Sequence, residues 1–277
     1  MVERVPETFC PKCGTRVEQA PYCSQCGTMM SLNDTQGPDS GGSRFLTIPW
    51  AVIDVVKGVA LYLVALVVVI GILSLFLAFD PFSLNADKGF TTALLFVVMS
   101  VGELLMLLAA WRFSSFKYHC GWRSLGFRYP RKLGDAVRLV VIGLILSFLA
   151  SFIYAIIITA LDLDSFQAAE PPSELVETSA GLAVFVILAV LVAPIAEETF
   201  FRGFVFPGIG RKYGVWWGAI ASAALFAGMH GSLGALFGTF VIGLVLAWVY
   251  VRTRSIWACI GCHAAYNSLA LITLIHA

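Results

Sequence analysis

Charge is what this chain has least of. Asp, Glu, Lys and Arg make up 13% of its 277 residues, where a soluble domain carries roughly 25%. With 59% hydrophobic residues and a mean hydropathy of +0.86, the chain cannot cover a water-facing surface, and a soluble fold is excluded. Net charge is only +1, so there is no broad basic field to draw in nucleic acid, and none is expected as a partner. The N-terminus lacks the basic stretch followed by an apolar core that marks a secretory signal peptide. An internal repeat is lacking too, which speaks against a transporter built from duplicated halves.

What is present is a series of long apolar blocks, near 50–79, 90–111, 136–160, 180–206, 214–230, 233–251 and 255–275. Most reach the ~20 residues that cross hydrocarbon as a helix. The expected fold class is therefore all-α: a polytopic membrane protein with about seven transmembrane helices, the fifth being the shortest. The connection between the second and third blocks is rich in Lys and Arg, from Arg112 through Lys117, Arg123, Arg128, Arg131 and Lys132 to Arg138. Arg211 and Lys212 follow the fourth block, and Arg252 and Arg254 the sixth. The connection between the third and fourth blocks has acids only, among them Asp162, Asp164 and Glu174. If every block spans, the basic segments fall on one side, which puts the N-terminus in the cytoplasm and the C-terminus outside.

The chain divides into residues 1–30, a flexible linker over 31–46 and the bundle over 47–277. The first unit repeats an aromatic residue, a Cys-x-x-Cys pair and a glycine: Phe9-Cys10-Pro11-Lys12-Cys13-Gly14, then Tyr22-Cys23-Ser24-Gln25-Cys26-Gly27. Two such knuckles offer four thiolates to one ion, and in a reducing compartment zinc is favoured over disulfides. Cys10, Cys13, Cys23 and Cys26 are thus read as a structural zinc site with no open coordination position. The unit is similar to the short zinc ribbons attached to many prokaryotic membrane proteins, and a cytoplasmic partner is its expected use. Cys259 and Cys262 share the same spacing but lie in an apolar block, where they read as small residues at a helix interface.

Ionisable groups inside a membrane span are costly and mark function by default. The fourth block contains Glu197, Glu198 and Arg202. Glu198 and Arg202 are four residues apart and share a helix face, whereas Glu197 is rotated about 100° away. The first two read as a brace and Glu197 as a free carboxylate suited to general-base work. The fifth block ends Phe226-Ala227-Gly228-Met229-His230. The seventh carries His263 and Asn267, again four apart: a base or metal ligand beside an amide donor for an oxyanion.

These three motifs, Glu-Glu-x-x-x-Arg, Phe-x-x-x-His and His-x-x-x-Asn in that order, resemble those of the CAAX protease and bacteriocin-processing family (the Abi, or type II CAAX prenyl endopeptidase, family) of intramembrane endopeptidases. The resemblance spans roughly residues 120–275 and includes Arg202-Gly203 and the run Tyr250–Ala258 before the last motif. It implies that Glu197 and His230 activate the attacking water, that His263 and Asn267 stabilise the oxyanion, and that Glu198 and Arg202, with Phe226, support the site. It implies a substrate that is a membrane-associated protein or peptide, in a multi-pass protein of a prokaryotic cell membrane. Both a metal-dependent and a metal-free mechanism are compatible with the residues; Glu197, His230 and His263 are the ligands a catalytic zinc would use. The rival reading is a non-catalytic membrane regulator or scaffold that binds a partner through the ribbon.

Overall fold

A run of apolar residues in hydrocarbon has no water to satisfy its backbone, so every N–H and C=O must pair within the segment, and the run becomes a helix. The computed structural model describes residues 8–9, 16–17, 25, 48–79, 88–167, 176 and 178–276. Seven helices follow from the seven apolar blocks: α1 Val52–Phe79, α2 Lys88–Trp111, α3 Leu133–Ala160, α4 Ser179–Tyr213, α5 Val215–Met229, α6 Leu233–Thr253 and α7 Ile256–His276. Among the described residues, six are long and apolar enough to cross a membrane, α5 being the exception. The bundle is the expected all-α polytopic fold, with one revision. The block over 214–230 gives a helix of 15 residues, which rises about 22 Å at 1.5 Å per residue. That is short of a hydrocarbon core of ~30 Å.

α4 is the longest helix and the least regular. Its hydrogen-bond register widens into π-helical turns at Leu188–Val192 and again at Thr199–Val205. Carbonyls of the second widened turn also accept from side chains elsewhere. Ser222 of α5 donates to the Phe201 carbonyl at 2.9 Å, and Trp50, fully buried before α1, donates to that of Phe204 at 3.0 Å. Insertions of this kind are frequent at functional sites, and here they flank Glu197 and Glu198.

Two close approaches depend on glycine. A Cβ on Gly243 of α6 would lie 2.9 Å from the Ala223 Cβ and 3.0 Å from its Cα, so α5 and α6 touch backbone to backbone. A Cβ on Gly203 would lie 2.7 Å from the Leu125 carbonyl oxygen, where the short 3₁₀ turn Trp122–Leu125 presses on α4. By contrast, a Cβ on Gly261 meets nothing within 4 Å, so this glycine does not serve the close helix approach expected beside Cys259 and Cys262. Those two thiols are buried and point to separate carbonyls, of Leu246 and Val140.

The start of α1 is tied to the basic connection by the fully buried Asp54. Asp54 accepts from the Ala51 N–H at 3.0 Å, from the Tyr118 hydroxyl at 2.6 Å and from Lys117. Its hydrogen bond is the main influence holding the Lys117 ammonium above the usual lysine range. Near the N-terminus, two-residue strands, Thr8–Phe9 and Arg16–Val17, pair antiparallel with Thr8 opposite Val17. Cys10, Cys13, Cys23 and Cys26 lie outside the described residues.

Candidate active site

Three helices deliver the polar residues to one place in the bundle. Glu198 of α4 is fully buried and accepts from two cations or potential cations on the same oxygen. Arg202 Nη1 donates to Glu198 Oε1 at 2.8 Å, one helical turn along. His263 Nδ1 of α7 lies 2.9 Å from that oxygen. Arg202 is buried as completely. Its other terminal nitrogen donates to the Gly243 carbonyl at 3.1 Å, and its guanidinium stacks over Phe226 with 4.6 Å to the ring centre. A buried charge pair needs further partners, and α6 and α5 supply a carbonyl and an aromatic face, while Glu198 Oε2 and Arg202 Nε stay buried without a hydrogen bond. The brace read from the four-residue spacing is therefore present, and it reaches beyond its own helix to His263.

Glu197 projects elsewhere. It is partly buried, and its Oε2 lies 3.7 Å from His263 Nε2. The imidazole of His263 thus sits between two neighbouring glutamates, Glu198 on the Nδ1 edge and Glu197 facing the Nε2 edge. The chain of contacts continues through Phe226. Its ring meets His263 edge to face at 5.7 Å and His230 at 4.7 Å. His230 caps the end of α5 and is exposed. Its Nδ1 is 2.8 Å from the Phe226 carbonyl, which can only accept. Nδ1 therefore carries a proton, and in the neutral imidazole the lone pair is on Nε2. From the sequence, a fifth helix starting near Trp216 carries His230 about 20 Å deep. α5 ends at Met229, where that apolar block ends, and the Phe226 ring lies between His230 and His263.

Asn267 is one turn beyond His263 on α7, and its Nδ2 donates to the Ala189 carbonyl at 2.7 Å. The reason lies in α4. In the widened register the Ala193 N–H bonds to Leu188, five residues back. The next donor in that register, due to meet Ala189, is residue 194, a proline without an N–H. Asn267 supplies the missing bond and fastens α7 to α4. Its amide nitrogen keeps a second hydrogen for another acceptor.

Two residues outside the sequence motifs join the group. Glu103 of α2 and Tyr62 of α1 are both near enough to interact electrostatically with Glu197 and with each other. Glu103 Oε2 is buried and has no hydrogen-bond partner, as is Glu198 Oε2. Tyr62 packs against Phe200 with 5.9 Å between ring centres. A signal for Glu103 exists in the sequence, since it is the single ionisable residue within the block 90–111. What the sequence does not give is the helix pairing that brings α2 beside Glu197.

Among the described residues no three His, Cys, Asp or Glu side chains are arranged to hold a metal ion. Both histidines place Nδ1 on an oxygen acceptor, an arrangement that metal-ligating histidines also use, and Glu197 faces one of them.

Comparison with known proteins places the resemblance on the same segment. Residues 179–269 match a family model described as Type II CAAX prenyl endopeptidase Rce1-like. The match holds α4 from its first residue through most of α7, and so all of Glu197, Glu198, Arg202, Phe226, His230, His263 and Asn267. A Bacillus subtilis (strain 168) protein carrying the name "Putative membrane peptidase YdiL" is 26% identical over 106 residues, 38% of this chain and 43% of the relative. The chain thus spans less than half the length of that relative. No solved structure matches the chain.

Proposed function

We propose that this protein is an intramembrane endopeptidase that cleaves membrane-associated protein or peptide substrates with a water activated by Glu197 and His230. The observation that carries the reading is the placement of His263 between two adjacent glutamates with different partners. Glu198 is engaged through one oxygen by both Arg202 and His263, so it holds shape. Glu197 keeps a carboxylate oxygen for chemistry.

The steps use these side chains in turn. Glu197 accepts a proton from water as the water oxygen attacks the peptide carbonyl carbon. The Nε2 lone pair of His230 accepts the second hydrogen bond that orients that water. Negative charge moves to the former carbonyl oxygen. His263, whose Nδ1 is held by Glu198, turns its Nε2 edge toward that oxygen, and a proton on Nε2 donates to it. The second amide hydrogen of Asn267 is the other donor. Collapse of the tetrahedral intermediate breaks the C–N bond, and the proton held on Glu197 passes to the departing nitrogen. General-base and oxyanion terms of about 10²–10⁴ and 10²–10³ are ordinary for such groups.

In the same reading the basic connections lie in the cytoplasm, by the excess of Lys and Arg near the span ends, and the N-terminus with them. Cys10, Cys13, Cys23 and Cys26 hold one structural zinc, and the ribbon they form recruits a cytoplasmic partner. The paired strands at Thr8–Phe9 and Arg16–Val17, which bracket the first cysteine pair in sequence, support this. The test of the activity is cleavage of a membrane-anchored peptide by the purified full-length protein in nanodiscs. Glu197→Gln and His230→Ala should each fall at least about 100-fold; full activity in both removes the mechanism. Zinc analysis of the same protein should return one equivalent, lost on replacing Cys10 and Cys13 by Ser.

A further inference from the structure

The basic end of the bundle carries a feature that peptide hydrolysis does not use. Between the first turns of α3 and α7 a groove of about 340 Å³ opens, lined by Leu133, Val137, Val140, Val141, Trp257 and Gly261 without a charged side chain. Leu133, Val137 and Trp257 are exposed there. Adjoining it is a second cavity, of about 460 Å³, with Arg128, Arg131, Lys132, Arg252 and Arg254 in its wall against a single acid, Asp135. The two share Tyr129, Pro130 and Ala136, so they lie side by side. They come from the loop before α3, the first turns of α3 and α7, and the end of α6.

An apolar groove beside a basic cavity matches one kind of molecule in a membrane. We propose that this composite site binds an anionic phospholipid, with the phosphate headgroup among the five basic residues and an acyl chain in the groove. Scattered Lys and Arg at the ends of spans orient a protein without selecting a lipid. Here the basic residues come from two separate connections and converge on one concavity, and basic pockets between spanning helices bind lipid headgroups. The charge balance, five against one, rejects a cationic ligand and gives a zwitterionic headgroup no net attraction. Gly261 helps keep the groove open: a side chain there would meet no other atom of the protein within 4 Å of its Cβ, so the space it faces belongs to the groove. The site is separate from Glu197 and its neighbours, and its occupancy does not depend on what those residues catalyse.

Trp257 in the groove wall is the reporter. The full-length protein is placed in nanodiscs containing phosphatidylglycerol or phosphatidylcholine with brominated acyl chains, and a Trp257→Phe protein isolates the Trp257 signal. Half-maximal quenching should need about tenfold less brominated phosphatidylglycerol than phosphatidylcholine. Replacing the exposed Arg131, Lys132 and Arg252 together by Gln should abolish that preference. Gly261→Leu, which fills the groove and trades a helical glycine for a better helix former, should remove the quenching of Trp257 by either lipid. Equal quenching by the two lipids in the wild type overturns the proposal, as does a preference that survives the triple replacement. Should Gly261→Leu fail to fold, the triple variant, altered only at exposed positions, still decides.

Discussion

The first three spans and the later ones are made of similar residues but are used differently. Within their most apolar stretches, α1 and α3 bury only 11% of residues inside the protein, whereas α6 buries 39% and α7 33%. Most side chains of α1 and α3 face lipid, which is as apolar as they are and gives no hydrophobic reward for packing. Helices that must hold charge cannot stand apart in this way. Glu198 and Arg202 are stable in the bundle because α5, α6 and α7 close around them with an aromatic ring, a carbonyl and an imidazole. The lesson is that in this protein packing follows the polar residues: the helices pack most densely where an ion pair has to be kept from lipid. Among the described residues, the first half contributes to the site at Tyr62 and Glu103.

The comparison can be broken most severely at Glu198. Replacing it with Ala leaves Arg202 buried without its counter-ion, and the loss should be about 3–5 kcal/mol, read as a large fall in thermal unfolding temperature in detergent. Removing instead one exposed valine of the lipid-facing half, Val67, 69% exposed, should change stability by less than about 0.5 kcal/mol.

Between these extremes lies Gly243. Gly243→Ala inserts a Cβ into the α5–α6 contact and displaces the carbonyl that receives Arg202, at a cost of about 1–3 kcal/mol. An unchanged unfolding temperature would show that the two helices are looser than their 2.9 Å approach indicates. The smallest effect on stability, and the most informative about function, is expected at Glu103. Glu103→Gln keeps the shape and removes the acid beside Glu197. Cleavage should slow about tenfold, equivalent to 1.4 kcal/mol, with the unfolding temperature almost unchanged. If cleavage is unaffected, the first half of the bundle is scaffold alone.

Much of this was legible in the order of residues. Six spans and a short seventh follow from apolar run length, and the Glu198–Arg202 pair from a four-residue spacing. The separation of Glu197 from that pair follows from helical phase. Helical phase could not say that Glu198 would also hold His263, because that depends on how α7 docks against α4. Nor could spacing give the role of Asn267 in replacing the hydrogen bond that Pro194 cannot make. That bond exists only because the register of α4 widens at Leu188–Val192, a tertiary effect without a local sequence signature. At α5 the run was the shortest, and the helix it gives ends at Met229, short of a crossing, with His230 at its cap.

The brevity of α5 has a consequence for supply. Its first turn follows the exposed Arg211 and Lys212, which hold that end at a membrane surface. Its other end, with His230 and Gly231 both exposed, then falls some way short of the opposite surface. Backbone that has left helical register at such a depth persists only against protein or in contact with solvent. In the proposed reaction, a helix cut short would serve as an inlet: it would let the aqueous phase reach into a protein otherwise surrounded by oil, and hydrolysis consumes one molecule of that phase per bond broken.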